Sequence, residues 1–322
     1  MKPIMSFWSE PYIRGFSNPW INPSTWNLSW ILSVESVTKV YGKPHLYTDL
    51  AGKNFLVNEL GLSFESIDLS LTDIKGMNPK FFSLGRTYAM GLQKEPFFHI
   101  DYDAYLFDKI PDELTSSEIF FEKDMFNYIG GNAGSVQRPD LFSSVKNIPN
   151  WWNLYAKKEF HCYKMGIFGG SNLDYFNKLS QSIFDIVNSN TKEVWEDINN
   201  RAKNNTELLS SHLFIPQYTL DEYLSAALAK EMKISPTFMI SGTGLVKTKY
   251  AHIHGNKSDS SEVYGRVLNR LVSDYPDTKE TIKKLEPNKE IEVPKVSIVV
   301  MPNKYSSVYD SLLRAIIPRK IT

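Results

Sequence analysis

Along the first hundred residues, short apolar runs alternate with longer segments whose apolar positions recur every three or four residues. Ile4 to Ser9 is an apolar run of strand length, and residues 10–26, rich in Pro, Asn and Trp, read as a loop. From Leu28 to Tyr41 the positions Ile31, Val34 and Val37 fall on one side, the period of an amphipathic helix, and Gly42 stops it. A second strand, Pro44 to Thr48, precedes a helix over Ala51 to Leu60. A third strand, Phe64 to Leu69, precedes a helix over Pro79 to Gln93, and Pro96 to Phe107 reads as a fourth strand. This order predicts an α/β fold, a mostly parallel, Rossmann-like central sheet with helices on both faces. In such sheets ligands sit outside the carboxyl ends of the strands.

The second half is less regular. Ser117 to Asn127 can form a strand, residues 128–150 read as a long loop, and Lys164 to Gly169 is strand-like and runs into a helix over Leu173 to Asn188. Asn199 to Asn205 is polar and charged. Thr219 to Met232 reads as a helix, Ser235 to Ile240 as a strand and Ser261 to Ser273 as a helix. Residues 276–290, rich in Lys and Glu, read as a linker to the apolar Val296 to Met301 and the amphipathic Ser306 to Ile317. The expected division is a body over residues 1–275 and an extension over residues 276–322 that packs on the body or on a partner, a second copy of the chain among the candidates.

Composition adds exclusions. Lys plus Arg and Asp plus Glu both number 36, with no long basic run, so the sequence gives no sign of a nucleic-acid partner. The single cysteine, Cys162, rules out an internal disulfide. No apolar stretch approaches a membrane span, and with the low cysteine count the expected location is cytoplasmic, with peripheral membrane contact through the tail as an option.

The chemistry concentrates in four places. In Phe97-Phe98-His99-Ile100-Asp101-Tyr102-Asp103, two carboxylates two residues apart share one face of a regular strand, amid apolar neighbours. Two such charges repel and resist desolvation, and a hard divalent cation between them removes both costs. The alternative is a strand-exit turn whose aspartates cap a helix or face water. Gly169-Gly170 allows close backbone approach before a helix that Ser171 or Asn172 can cap. Gln217 stands at the start of a helix, as a cap or as a group facing a reaction centre, with Asp221 and Glu222 beyond it as ordinary helix carboxylates. In Tyr250-Ala251-His252-Ile253-His254-Gly255-Asn256-Lys257, either histidine can complete a carboxylate metal site and Lys257 can meet a phosphate.

Taken in order, these segments resemble the GT-A-fold glycosyltransferases. Asp101-Tyr102-Asp103 looks like their DXD motif, which holds a metal and the diphosphate of a nucleotide sugar. The Gly169-Gly170 turn is similar to a segment of the blood-group-type transferases that lines the donor-sugar pocket. Gln217 falls where retaining enzymes place a carboxylate or amide beneath the anomeric carbon, although Pro216 stands where glycogenin-like enzymes have Asp. The His-Gly-Lys segment is similar to the glycogenin-like one that supplies a metal-binding histidine and a diphosphate-binding lysine; His252 fits its spacing to Gly255, with His254 in reserve. The resemblance implies Mn²⁺ or Mg²⁺ on Asp101, Asp103 and His252, a donor contacted by Lys257, Gly255, Tyr47, Asp101, Gly169, Gly170 and Arg86, and Gln217 and Asp103 as catalytic groups. By itself, Arg86 reads more readily as a solvated helix charge than as a diphosphate contact.

The implied activity is transfer of a sugar, with retention, from a nucleotide sugar such as a UDP-sugar to a hydroxyl of a glycan, lipid-linked or peptide acceptor. The competing readings are a catalytically inactive GT-A-like protein that binds glycans or a partner, and a sugar-nucleotide nucleotidyltransferase. The latter lacks support in Ser9-Glu10-Pro11-Tyr12-Ile13-Arg14-Gly15, poor in glycine for a phosphate loop. For the tail, cations Arg314, Arg319 and Lys320 flank Ile316 and Ile317. Liposome flotation of the full chain against a version truncated at residue 290 checks membrane contact: loss of binding on truncation supports it, and equal partitioning ends it.

Overall fold

The computed structural model describes residues 1–15, 23–128, 137–154, 159–204, 215–240, 247–253 and 260–285. Its strands are β1 (Lys2–Phe7), β2 (His45–Thr48), β3 (Ser66–Asp68), β4 (Phe97–Ile100), β5 (Ala104–Leu106), β6 (Phe120–Tyr128), β7 (Glu159–Gly170), β8 (Thr237–Ile240) and β9 (Tyr250–His252). The α-helices are α1 (Ser9–Ile13), α2 (Pro23–Tyr41), α3 (Leu50–Lys53), α4 (Leu84–Gly91), α5 (Asp112–Thr115), α6 (Leu173–Ser189), α7 (Lys192–Asn204), α8 (Ile215–Tyr218), α9 (Leu224–Glu231), α10 (Ser260–Asp274) and α11 (Lys279–Leu285). Seven strands form one sheet in the order β3-β2-β1-β4-β7-β6-β8, and β5 pairs with β9 apart from it. Pairings β3/β2, β2/β1, β1/β4 and β6/β8 are parallel, whereas β7 runs antiparallel to both neighbours.

The side-chain period of two decides which residue goes to which face. Ile4, Phe97, Phe121 and Phe168 join one core; their chain neighbours Met5, Phe98, Phe120 and Ile167 join the other. Full burial of an aromatic or branched side chain contributes about 1.5–3 kcal/mol, so these pairs drive both layers. The first core is closed by α4, α6, α7 and α9, and the second by α2, α10 and α11. The expected α/β architecture with covered faces is therefore what the chain adopts.

Several elements depart from the sequence reading. The expected strand over residues 96–107 is two strands in different sheets, broken at residues 101–103. Asn54–Glu59 and Thr219–Tyr223 are π-helical segments that follow α3 and α8. The polar stretch near residue 200 belongs to α7, whose Trp195, Ile198 and Ala202 are buried on one side. Residues 276–285, read as linker, form a 3₁₀ turn and α11, with Ile282 fully buried in the second core. The apolar and amphipathic segments of the tail lie outside the described residues.

Gly169 and Gly170 show why β7 ends in glycine. A Cβ on Gly169 would sit 2.1 Å from the Phe97 carbonyl oxygen, and one on Gly170 2.0 Å from that of Glu118. Both obstacles are backbone and cannot step aside. Gly169→Ala is expected to lose about 1–3 kcal/mol or more of stability, read by urea unfolding. An Ala variant as stable as the parent would show that β4 and β7 are not held this close.

Candidate functional site

The carboxyl ends of β1, β2 and β4 share one edge of the sheet, and Asp101 is the first residue past β4. Its amide donates to the Gly166 carbonyl at 2.9 Å, extending the β4/β7 pairing by one bond, and its carbonyl accepts the Ala104 amide at 3.0 Å. That turn bends the chain out of the main sheet into β5. Asp101 and Asp103 thus meet through a turn and not through one face of a strand, a correction to the expected geometry. Tyr102 between them stacks on Trp30 with ring centroids 5.1 Å apart, and its carbonyl accepts from Ser29 Oγ at 2.9 Å, so α2 clamps the turn.

β9 brings in the third group. His252 pairs with Ala104 across the small sheet, and its Nε2 lies 3.4 Å from Asp103 Oδ1. One ligand atom each from Asp101, Asp103 and His252 lie within 4.8 Å of one another. Donors about 2.1 Å from a shared ion are at most about 4.2 Å apart, so a small closure seats one. Asp103 and His252 are buried, whereas a quarter of the Asp101 side chain is exposed, which opens the cluster to solvent.

Asp101 and His252 each have a buried partner behind them, and further buried ion pairs lie beyond. Arg86 Nη1 donates to Asp101 Oδ2 at 2.7 Å and to the Met165 carbonyl at 3.1 Å, while Nη2 donates to Asp221 Oδ2 at 2.9 Å. Asp221 also accepts from Ser83 Oγ and from the Gln217 amide, and Gln217 Oε1 accepts the Ser83 amide at 3.3 Å. On the other side, Glu122 takes His252 Nδ1 at 2.9 Å. Lys164 Nζ donates to both Glu222 oxygens, at 2.8 and 3.1 Å, and Gln137 donates to the same carboxylate. The π-helical Thr219–Tyr223 adds a residue to the turn and buries the adjacent Asp221 and Glu222 together.

The electrostatics follow from this packing. Burial pulls the Arg86 guanidinium down, but Asp101 and Asp221 outweigh it and hold it above its usual value. Burial pushes the Asp101 carboxyl up to about 6, with Arg86 opposing and Asp103 adding. Burial also works against a charged His252, yet Glu122 and Asp103 hold its pKa up at about 10. Without a metal, an imidazolium therefore stands between two carboxylates. His99, stacked on Phe168 and bonded through Nε2 to Ser6 Oγ at 2.8 Å, is held well below the usual range by burial and by Arg86.

Of the residues singled out in the sequence, Asp101, Asp103 and His252 come together, and Arg86 reaches them. Arg86 is buried in ion pairs with Asp101 and Asp221 and is not a solvated helix charge. Gln217 is buried with its amide spent on Ser83 and Asp221, and so supports the Arg86 pairing and does not project into open space. Tyr47 is a core residue whose hydroxyl bonds Gln93 at 3.4 Å. Gly169 and Gly170 pair with Phe98 and Phe97, toward the opposite end of β4 from Asp101, and are not part of the cluster. Gly255, Lys257 and the reserve ligand His254 lie outside the described residues.

Sequence reasoning missed Glu122, Asp221, Glu222 and Lys164. Asp221 and Glu222 were expected to be ordinary helix carboxylates and are buried instead. Glu122 carried a signal: it follows Ile119, Phe120 and Phe121, and an acid continuing such a run is buried only with a partner.

No curated protein matches the chain. Among solved structures, the glycosyltransferase GlyE of Streptococcus pneumoniae TIGR4 aligns over 74% of this chain at 10% identity with a TM-score of 0.29, too low to support an argument. The alignment spans 45% of that protein's length. The model of a family of unknown function, DUF6734, matches residues 1–285, and the chain belongs to that family.

Proposed function

We propose that the chain is a metal-dependent glycosyltransferase that moves a sugar from a nucleotide sugar to a hydroxyl acceptor. The observation that carries this reading is the convergence of Asp101, Asp103 and His252 at the carboxyl edge of the sheet, where α/β folds bind ligands. Two carboxylates and an imidazole make a hard donor set, and the nitrogen favours Mn²⁺ over Mg²⁺. The second-layer contacts fit too, since a metal-binding histidine usually gives its other ring nitrogen to a carboxylate, as His252 gives Nδ1 to Glu122. A divalent cation held there would supply Lewis-acid charge to a diphosphate leaving group.

In this reading the chain's residues divide the work. Arg86 occupies Asp101 Oδ2, and Oδ1, which lies 3.6 Å from His99 Nδ1, is the oxygen that would take the ion. Asp103 contributes a carboxylate oxygen and His252 its Nε2. Lys257 and Gly255 meet the diphosphate, a role that rests on the resemblance alone. Gln217 acts by fixing Asp221 and hence Arg86, so the group beneath the anomeric carbon is left unassigned. Retention, and a UDP-sugar as donor, belong to the same proposal.

The test is release of nucleoside diphosphate from a panel of nucleotide sugars, with Mn²⁺ and with chelator. Asp103→Asn is expected to lower the Mn²⁺-dependent rate by about 100-fold or more, with little change in melting temperature. Donor binding without turnover across acceptors would point to a catalytically inactive binding protein. If no nucleotide sugar is turned over or raises the melting temperature with Mn²⁺, the reading fails.

A further inference from the structure

Between Phe121↔Phe168 and Lys123↔Lys164 the β6/β7 register slips, so that Glu122 stands opposite three residues of β7: Met165, Gly166 and Ile167. Bulges of this kind re-aim side chains beside functional sites. The peptide groups it exposes are used. The Met165 carbonyl accepts from Arg86 at 3.1 Å, the Gly166 carbonyl accepts from the Asp101 amide at 2.9 Å, and the Gly166 amide donates to Glu122 Oε2 at 3.2 Å.

Gly166 also leaves a space that is filled. A Cβ there would lie 2.2 Å from His252 Nδ1, 2.3 Å from its Cε1 and 2.5 Å from Glu122 Oε2. The nearest obstacles are all side-chain atoms of two residues at the metal cluster. Gly166 has no left-handed backbone angle, so room is the constraint and not conformation. The His252 ring lies in the missing side chain's place, with Nδ1 on Glu122 and Nε2 toward Asp103.

We propose that Gly166 and Glu122 are positioning residues of the Asp101–Asp103–His252 site. Gly166 provides the cradle for the His252 ring. Glu122 accepts a hydrogen bond from Nδ1–H and thereby turns Nε2, unprotonated when the ion binds, toward the two aspartates. Because a carboxylate oxygen accepts and does not donate, this contact selects one ring orientation and one neutral tautomer. The role assigned here depends on the metal reading above, but the placement of the ring does not.

Two measurements on the full chain separate these. Mn²⁺ affinity, by calorimetry or by electron paramagnetic resonance of free Mn²⁺, is expected to fall about 10–100-fold in Glu122→Gln and in Gly166→Ala. Glu122→Asp, which restores a carboxylate, is expected to recover part of the loss. Long-range ¹H–¹⁵N spectra of the histidine rings in metal-free protein, with His252 assigned from His252→Ala, are expected to show a changed His252 pattern in both variants while the other rings stay put. Wild-type protein that binds no Mn²⁺ while the His252 pattern responds would remove the metal reading and keep the cradle. Unchanged His252 resonances in Gly166→Ala, or wild-type Mn²⁺ affinity in both variants, would overturn the positioning roles.

Discussion

Arg86, Lys164 and His252 are set against Asp101, Asp103, Glu122, Asp221 and Glu222 at one end of the sheet, and the local backbone follows from satisfying them. Two permanent cations face five carboxylates, so a neutral His252 leaves three negative charges uncompensated among the described residues. Removing such charges from water costs several kcal/mol each unless paired. A proton on His252 relieves part of the deficit, which is why its pKa is held up at about 10. A divalent cation would relieve more, because it faces Asp101 and Asp103 together where the proton bridges Asp103 and Glu122.

Three irregularities deliver these groups, and each interrupts a regular element. The turn at residues 101–103 takes the chain from one sheet to another and brings two aspartates to one place. The bulge of β7 spends its peptide groups on Arg86, Asp101 and Glu122. The π-helical stretch after α8 buries two successive acids, one for Arg86 and one for Lys164. The regular layers around them hold these positions: Phe97 and Phe98 of β4, Phe120 and Phe121 of β6 and Phe168 of β7 are fully buried, and α2 packs Trp30 against Tyr102.

The layered fold was legible because parallel strands and their helices carry strong periodicity, as in Leu28 to Tyr41 and Leu173 to Asn188. The pair Asp101 and Asp103 was legible as chemistry, but its geometry was not, since a turn and a strand share the same apolar flanks. His252 was reached through spacing in a resembled motif, and the structure brings it to the aspartates. Gly169 and Gly170 were legible as a place of close backbone approach, and in the structure that approach is to β4 and to the backbone at Glu118. The partners Glu122, Asp221 and Lys164 were hidden because ion pairs between residues 58 to 135 positions apart leave no local pattern. Gly166 gave no signal either, since its function is an absent side chain.

The proposed metal site requires that Asp101, Asp103 and His252 hold one divalent cation together. Crystals grown with Mn²⁺ and a nucleoside diphosphate, measured at a wavelength where manganese scatters anomalously, test it directly. A single strong anomalous peak is expected about 2.1–2.3 Å from a carboxylate oxygen of each aspartate and from His252 Nε2. A peak elsewhere, or none with His252 still lodged between Asp103 and Glu122, would contradict it.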